Sequence, residues 1–254
     1  MARSFESARL KIERANKHIQ DLHQSMQAIT HKQSYIPAIQ HNSETGEYQL
    51  KITGAQVVVD WSLALGDVVH NLRTALDHVV WELVATITKQ TPSKWVRFPF
   101  QKTRPELVGT INRGEIKSIG TDLIDLIVDE IKPYDGGNDP LVALHRMDIM
   151  DKHHSLISVI SQMDFDGLVI ALMKSGEIRT LPVRMMGEQD YIALATAAEF
   201  KLADHGNTTF QVLFKEGGAF KDKPVIPTLH NMSQVVSSIV DVIEKAYLTG
   251  GSCS

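Results

Sequence analysis

Residues 61–88 read WSLALGDVVHNLRTALDHVVWELVATIT, and the reading of this stretch decides the fold. Trp61, Leu65, Val68, Leu72, Ala75, Leu76, Val79 and Leu83 recur at three- and four-residue intervals, which gathers them on one side of a helix. The pattern predicts a long helix from about Val57 to Thr88 as the central element of a bundle. Gly66 interrupts it at a cost of up to ~1 kcal/mol relative to alanine, so a kink or a close backbone approach is expected there.

Before this helix, Phe5, Ala8, Ile12, Ala15, Ile19, Leu22, Met26 and Ile29 form a narrow heptad seam, the mark of a helix that packs on another helix. Tyr35 to Gln40 and Glu47 to Thr53 flank a turn-rich segment and predict a hairpin. After it, residues 89–118 read as an irregular, basic connection. A helix from Thr121 to Lys132 stops at Pro133, and another runs from Leu141 to His154. The period then changes. Ser155 to Ser161, Leu168 to Lys174, Ile178 to Arg184 and Thr208 to Lys215 are strand-like, with turns at 164–167 and 175–177, which predicts an antiparallel sheet. Thr228 to Leu248 restores heptad spacing and is expected to return to the N-terminal bundle. The expected class is therefore α+β: an N-terminal helical bundle completed by the C-terminal helix, with an antiparallel sheet in the second half. One interleaved unit is expected, helical over 1–154, sheet over 155–226 and helical again over 227–250.

Composition narrows the function classes. The only cysteine is Cys253, which predicts no intrachain disulfide and no catalytic thiol. Charges run through the first thirty residues and no apolar run reaches about 18 residues, so a cytoplasmic protein without a membrane span is expected. The net charge of -4 gives no field for indiscriminate nucleic-acid binding. Locally, however, residues 89–117 hold seven basic residues against Glu106 and Glu115, a net of +5, and RNA is the partner expected along this segment. Walker-type and dinucleotide glycine loops and the Gly-x-Ser-x-Gly serine motif are absent.

The chemistry is expected on the polar side of the central helix. Asp67, His70, Asn71, Thr74, Asp77 and His78 fall within a wedge of about 120°, with Arg73 on its edge. Between Trp61 and Thr88 there is no lysine and a single glutamate, Glu82, although these residues normally fill solvated helix faces. Asp, Asn, Thr and His are poorer helix formers with short, directional polar groups. The same residues also suit a buried hydrogen-bond network that fixes the bundle's register. A second group, His145, Asp148, Asp151, Lys152, His153 and His154, gathers where the helix from Leu141 turns into strand, and Asp148 and Lys152 have ion-pair spacing.

The segments Gly66-Asp67-x-x-His70-Asn71-Leu72-Arg73-x-Ala75-Leu76-Asp77-His78 and Leu144-His145-x-x-x-x-x-Asp151-Lys152-His153 resemble those of a group of bacterial hypothetical proteins of similar length, a likeness that implies no activity. Arg73-Thr74-Ala75-Leu76-Asp77-His78 also resembles the Arg-x4-His motif of the HEPN superfamily, helical bundles that include metal-independent ribonucleases and toxin or phage-defence effectors. The resemblance implies a hydrolase acting on RNA with no cofactor, assembled as a homodimer. His78 would move the proton at the ribose 2′-hydroxyl or the leaving oxygen and Arg73 would stabilise charge on the phosphate, with Asn71, His70 and Asp77 beside them. Thr74 stands where that family often has asparagine, and a β-rich second half is not part of its minimal fold.

Two other readings stay open. Asp67-x-x-His70 and Asp151-x-x-His154 each set a carboxylate and an imidazole three residues apart, a spacing that aims ligands at a divalent metal inside a bundle, although no His-Glu-x-x-His motif is present. Alternatively, the sheet and the basic segment form a noncatalytic surface for a ligand or partner.

Overall fold

The computed structural model describes residues 5–31, 36–53, 58–153, 156–186, 191–195, 200–204, 206–215 and 220–250. Tyr35, Val57, His154, Ser155 and Cys253, and the side chain of Ile29, lie outside the described residues.

The seam of the first helix, α1 (Glu6–His31), does what its spacing requires. Phe5, Ala8, Ile12, Ala15, Ile19, Leu22 and Met26 are all buried in the main core. After the hairpin of β1 (Ile36–Asn42) and β2 (Glu47–Thr53), the central helix α2 spans Val58–Thr88, and the eight apolar residues that predicted it are at most 3% exposed. Val69, Val80 and Val84 are buried as well, so the buried arc of α2 is wider than one stripe and accommodates helices on more than one side.

The 89–118 segment corrects the expectation of an irregular connection. It contains α3 (Arg104–Arg113), capped by the Thr103 hydroxyl accepting from the Glu106 amide, with Pro105 in its first turn. Leu107 and Ile111 are its only fully buried residues, too few to produce a periodic signal among the charges around them. A 3-10 turn (Glu115–Ile119) follows. The helix expected over 121–132 is also different: α4 (Thr121–Asp125) gives way to a π turn (Leu126–Ile131), closed by the Lys132 amide donating to the Ile127 carbonyl. The wider turn brings Leu126, Ile127, Val128 and Ile131 all into the core. Next comes α5 (Asp139–His153), whose Leu141, Leu144 and Met147 are buried.

The second half is antiparallel β. One long strand, β3 (Val159–Leu172), pairs with β4 (Ile178–Met186) along one edge. On its other edge it pairs first with β7 (Asn207–Phe214) and then with β6 (Phe200–Asp204). β5 (Tyr191–Ala195) joins the β1–β2 hairpin as a separate three-stranded sheet. The expected turn at 164–167 is instead a bulge inside β3: Phe165 pairs with Val183 but Leu168 with Leu181, and Gly167 takes a φ of 80°. β5 and β6 are additions to the sequence reading. Their alanine and leucine content favours helix locally, and pairing with neighbouring strands overrides it.

The last helix, α6 (Val225–Gly250), returns to the bundle. Leu229, Met232, Val236, Val240 and Ile243 are buried, and Arg9 to Asp241 (2.8 Å) and Ser233 to Asn16 (2.6 Å) tie it to α1. Val159, Val212 and Phe214 of β3 and β7 enter the same core as the helices. No described helix is long and apolar enough to cross a membrane.

Gly206, at φ 59°, lies where an added Cβ would sit 2.1 Å from the Asp166 carbonyl oxygen, whereas a Cβ on Gly46, at φ 69°, would meet nothing within 4 Å. Gly46→Ala is expected to cost about 1–2 kcal/mol for the left-handed backbone alone. Gly206→Ala should cost at least twice as much, because strands must separate; urea unfolding of the two variants measures the difference.

Candidate active site between the second and fifth helices

Arg73 organises the contact between α2 and α5. It is 6% exposed, and all three guanidinium nitrogens are engaged: Nε donates to His145 Nδ1 (3.2 Å), Nη2 to the Phe98 carbonyl (3.2 Å) and Nη1 to Asp77. The same Asp77 oxygen accepts from the Phe98 amide at 2.8 Å. The Phe100 ring stacks on the His145 imidazole at 4.1 Å, with an interplanar angle of 11°, and lies 4.7 Å from the guanidinium carbon. A buried cation is thus matched by a carboxylate, a carbonyl, a lone pair and an aromatic face. His145 is pushed down to about 4, first by burial and then by the Arg73 charge. With Nδ1 accepting from Arg73, its neutral ring carries the proton on Nε2.

One turn before Arg73, His70 faces outward. Its side chain is 46% exposed, and its Nδ1 lies 3.2 Å from Asp148 Oδ1, a carboxylate that is only 7% exposed. The other Asp148 oxygen accepts from Lys152 Nζ at 2.7 Å. Donation from Nδ1 leaves His70 Nε2 as an acceptor toward solvent, with the Thr74 hydroxyl 3.5 Å away.

The expected close approach at Gly66 is made by Asp151, whose carboxylate would lie 2.5 Å from a Cβ at that position. Asp151 Oδ1 is buried without a hydrogen-bond partner among the described residues. Its carboxyl is held above the usual range, chiefly by burial and then by the charges of Asp148 and Asp67, with His70 and Lys152 opposing.

The polar wedge divides in two. His70, Arg73 and Asp77 turn toward α5 and the 96–100 segment. Asn71 and His78 turn toward α1, where Asn71 Oδ1 accepts from Lys11 Nζ at 3.4 Å and its Nδ2 donates to the Asp67 carbonyl at 2.8 Å. His78 is held below the ordinary imidazole range by burial and by Lys11, against Asp77 and Glu82. Asp67 is exposed on α2, His153 is exposed at the end of α5, and His154 lies outside the described residues. Among the described residues, no three His, Cys, Asp or Glu side chains converge as metal ligands. Phe98, Phe100 and Lys11 are additions to the sequence reading; the Phe98-Pro99-Phe100 run, apolar amid basic residues, was the signal for two of them. No family model, curated protein or solved structure matches this chain.

Arg73→Leu leaves the Asp77 charge unpaired and His145 Nδ1 without its donor, and is expected to destabilise by about 3–5 kcal/mol. Arg73→Lys cannot reproduce the fork and should recover only a fraction, as read by chemical denaturation. For His145, the folded value lies below that of the unfolded chain, so its contribution to stability is complete above pH 6.5 and is lost as pH falls toward 4. His145→Gln does not titrate in this window, and the stability difference between wild type and variant should shrink from pH 7 to pH 4.

Proposed function

We propose that this chain is a metal-independent ribonuclease of the cytoplasm, with its acid-base centre at His70, Asp148, Asp151 and Lys152. The observation that supports it best is His70 itself: a half-exposed imidazole whose Nδ1 is held by a buried carboxylate, with a lysine on that carboxylate's other oxygen. This arrangement fixes the tautomer and directs the basic Nε2 outward. In the proposed reaction His70 Nε2 takes the ribose 2′-hydroxyl proton as that oxygen bonds to the adjacent phosphorus. The bond to the 5′-oxygen breaks, and Asp151, whose carboxyl burial holds above the usual range, returns a proton to the leaving oxygen. The product ends are a 2′,3′-cyclic phosphate and a 5′-hydroxyl. Lys152 supplies positive charge beside the phosphate, the part that the HEPN resemblance gives to Arg73. Arg73 then acts as a positioning residue, since its nitrogens are engaged.

RNA would reach the centre along the basic segment 89–117, whose Phe98 backbone is bonded to α2 at Asp77 and Arg73. Leu63 (55% exposed) and Trp81 (42%) lie on the same face of α2 as His70, which favours a homodimer in contact along that face.

One observation favours a second reading. The buried oxygen of Asp151, which has no hydrogen-bond partner among the described residues and lies within the field of Asp67 and Asp148, suits a divalent cation at Asp151 in a metal-dependent hydrolase or oxygenase.

The test is cleavage of labelled single-stranded RNA by chelator-treated protein. Cleavage should persist in chelator, and His70→Asn should slow it by about 100-fold or more without changing the melting temperature. Loss in chelator with recovery on adding manganese or zinc would establish the second reading, and no cleavage with or without metal would overturn both nuclease schemes.

A further inference from the structure

Trp95 is the most exposed large apolar residue among the described residues, with 73% of its surface open. It is not held out by a loose loop. Pro92, Val96 and Phe98 on either side of it are buried. The Val96 amide donates to the Ser93 carbonyl at 3.1 Å, and the Phe98 amide and carbonyl are both bonded to α2. The backbone around the indole is therefore fixed, and the ring stands on it as a preset platform.

The surroundings of that platform are cationic. Lys94 Nζ lies 5.1 Å from the indole centroid, and Arg97, two residues on, is exposed. The Ser93 amide donates to Glu115 at 3.2 Å, which brings the 3-10 turn alongside, and with it exposed Arg113 and Lys117. Arg104 is neutralised by Asp129, but Lys94, Arg97, Arg113 and Lys117 have no carboxylate ion pair among the described residues. The Glu115 carboxyl that this contact draws in is committed to the Ser93 amide.

A flat, exposed aromatic ring on a segment whose cations have no carboxylate partner among the described residues is complementary to a chain that alternates flat bases with phosphates. We propose that Trp95 is the stacking platform of a single-stranded RNA site, with Lys94 and Arg97 holding the flanking phosphates. The choice of RNA over DNA rests on the ribonuclease reading; the stacking site itself does not. Trp95 is three positions from Phe98 and Asp77 seven helical positions from His70, so the Trp95 and His70 Cα atoms lie within about 30 Å of one another. One strand of modest length can occupy both, and Trp95 would set which nucleotide reaches His70.

The deciding experiment is fluorescence anisotropy of a labelled, non-cleavable 2′-O-methyl oligouridine with wild-type protein and the variants Trp95→Ala, Trp95→Phe and Lys94→Ala/Arg97→Ala. The inference expects Trp95→Ala to weaken binding by about tenfold or more, with Trp95→Phe retaining most of it. The double variant should also lower the slope of log K against log salt by about 0.7 for each lost phosphate contact. Equal binding by wild type and Trp95→Ala, or no binding by either, overturns the site. Trp95-dependent adsorption to anionic phospholipid vesicles without oligonucleotide binding overturns it in favour of a membrane surface. Trp95-dependent binding by a protein that cleaves no RNA leaves the stacking site standing and removes the ribonuclease reading instead.

Discussion

A guanidinium with 6% of its surface exposed sits where three parts of the chain meet, and each of those parts has to supply something to keep it there. Arg73 and Asp77 come from α2, the Phe98 carbonyl and Phe100 ring from the segment that follows it, and the His145 lone pair from α5. A buried cation left with any partner missing is costly, so the three segments are constrained as a unit. The stacking of Phe100 on His145 and the donation from the Phe98 amide to Asp77 close the arrangement from the other side. The packing of α2 on α5, and hence the placing of every polar group along that contact, depends on it.

The two histidines of this contact show how environment divides one chemistry into two roles. His145 is buried beside a permanent cation, which makes it a neutral acceptor and a structural partner. His70, one turn from Arg73 on α2, has a carboxylate at its Nδ1 and solvent at its other nitrogen, the disposition that proton transfer requires. Asp148 and Asp151 divide in a parallel way. Asp148 is shared between His70 and Lys152, whereas Asp151 rests on the bare Cα of Gly66 with a buried oxygen that has no hydrogen-bond partner among the described residues, and burial holds its carboxyl above the usual range. Gly66 is thus explained by what touches it: any side chain there would displace the Asp151 carboxylate.

Much of the fold was legible because long amphipathic helices announce themselves over many residues. The seams of α1, α2 and α6 repeat the same demand for a buried face over several turns, and it outweighs local preferences such as that of Gly66. The failures came where the signal is short or collective. α3 buries two residues only, although its Thr103-x-x-Glu106 cap was present in the sequence. The bulge at Gly167 and the hairpin turn expected there place glycine in the same left-handed conformation, so the residue alone does not distinguish them. β5 and β6, with alanine- and leucine-rich sequences, become strands through partners elsewhere in the chain.

By itself the sequence determined the α+β class, the closing of the bundle by α6 and the polar identity of one side of α2, because each follows from periodicity. Only the tertiary structure decided how that polar side is used. A helical wedge states which residues share a direction and leaves open what lies opposite them, and here two different neighbours split it: α5 and the 96–100 segment take His70, Arg73 and Asp77, while Lys11 of α1 takes Asn71. Burial and the charges of residues far away in the chain then set which imidazole stays neutral inside and which faces solvent, and neither can be computed from spacing along one helix.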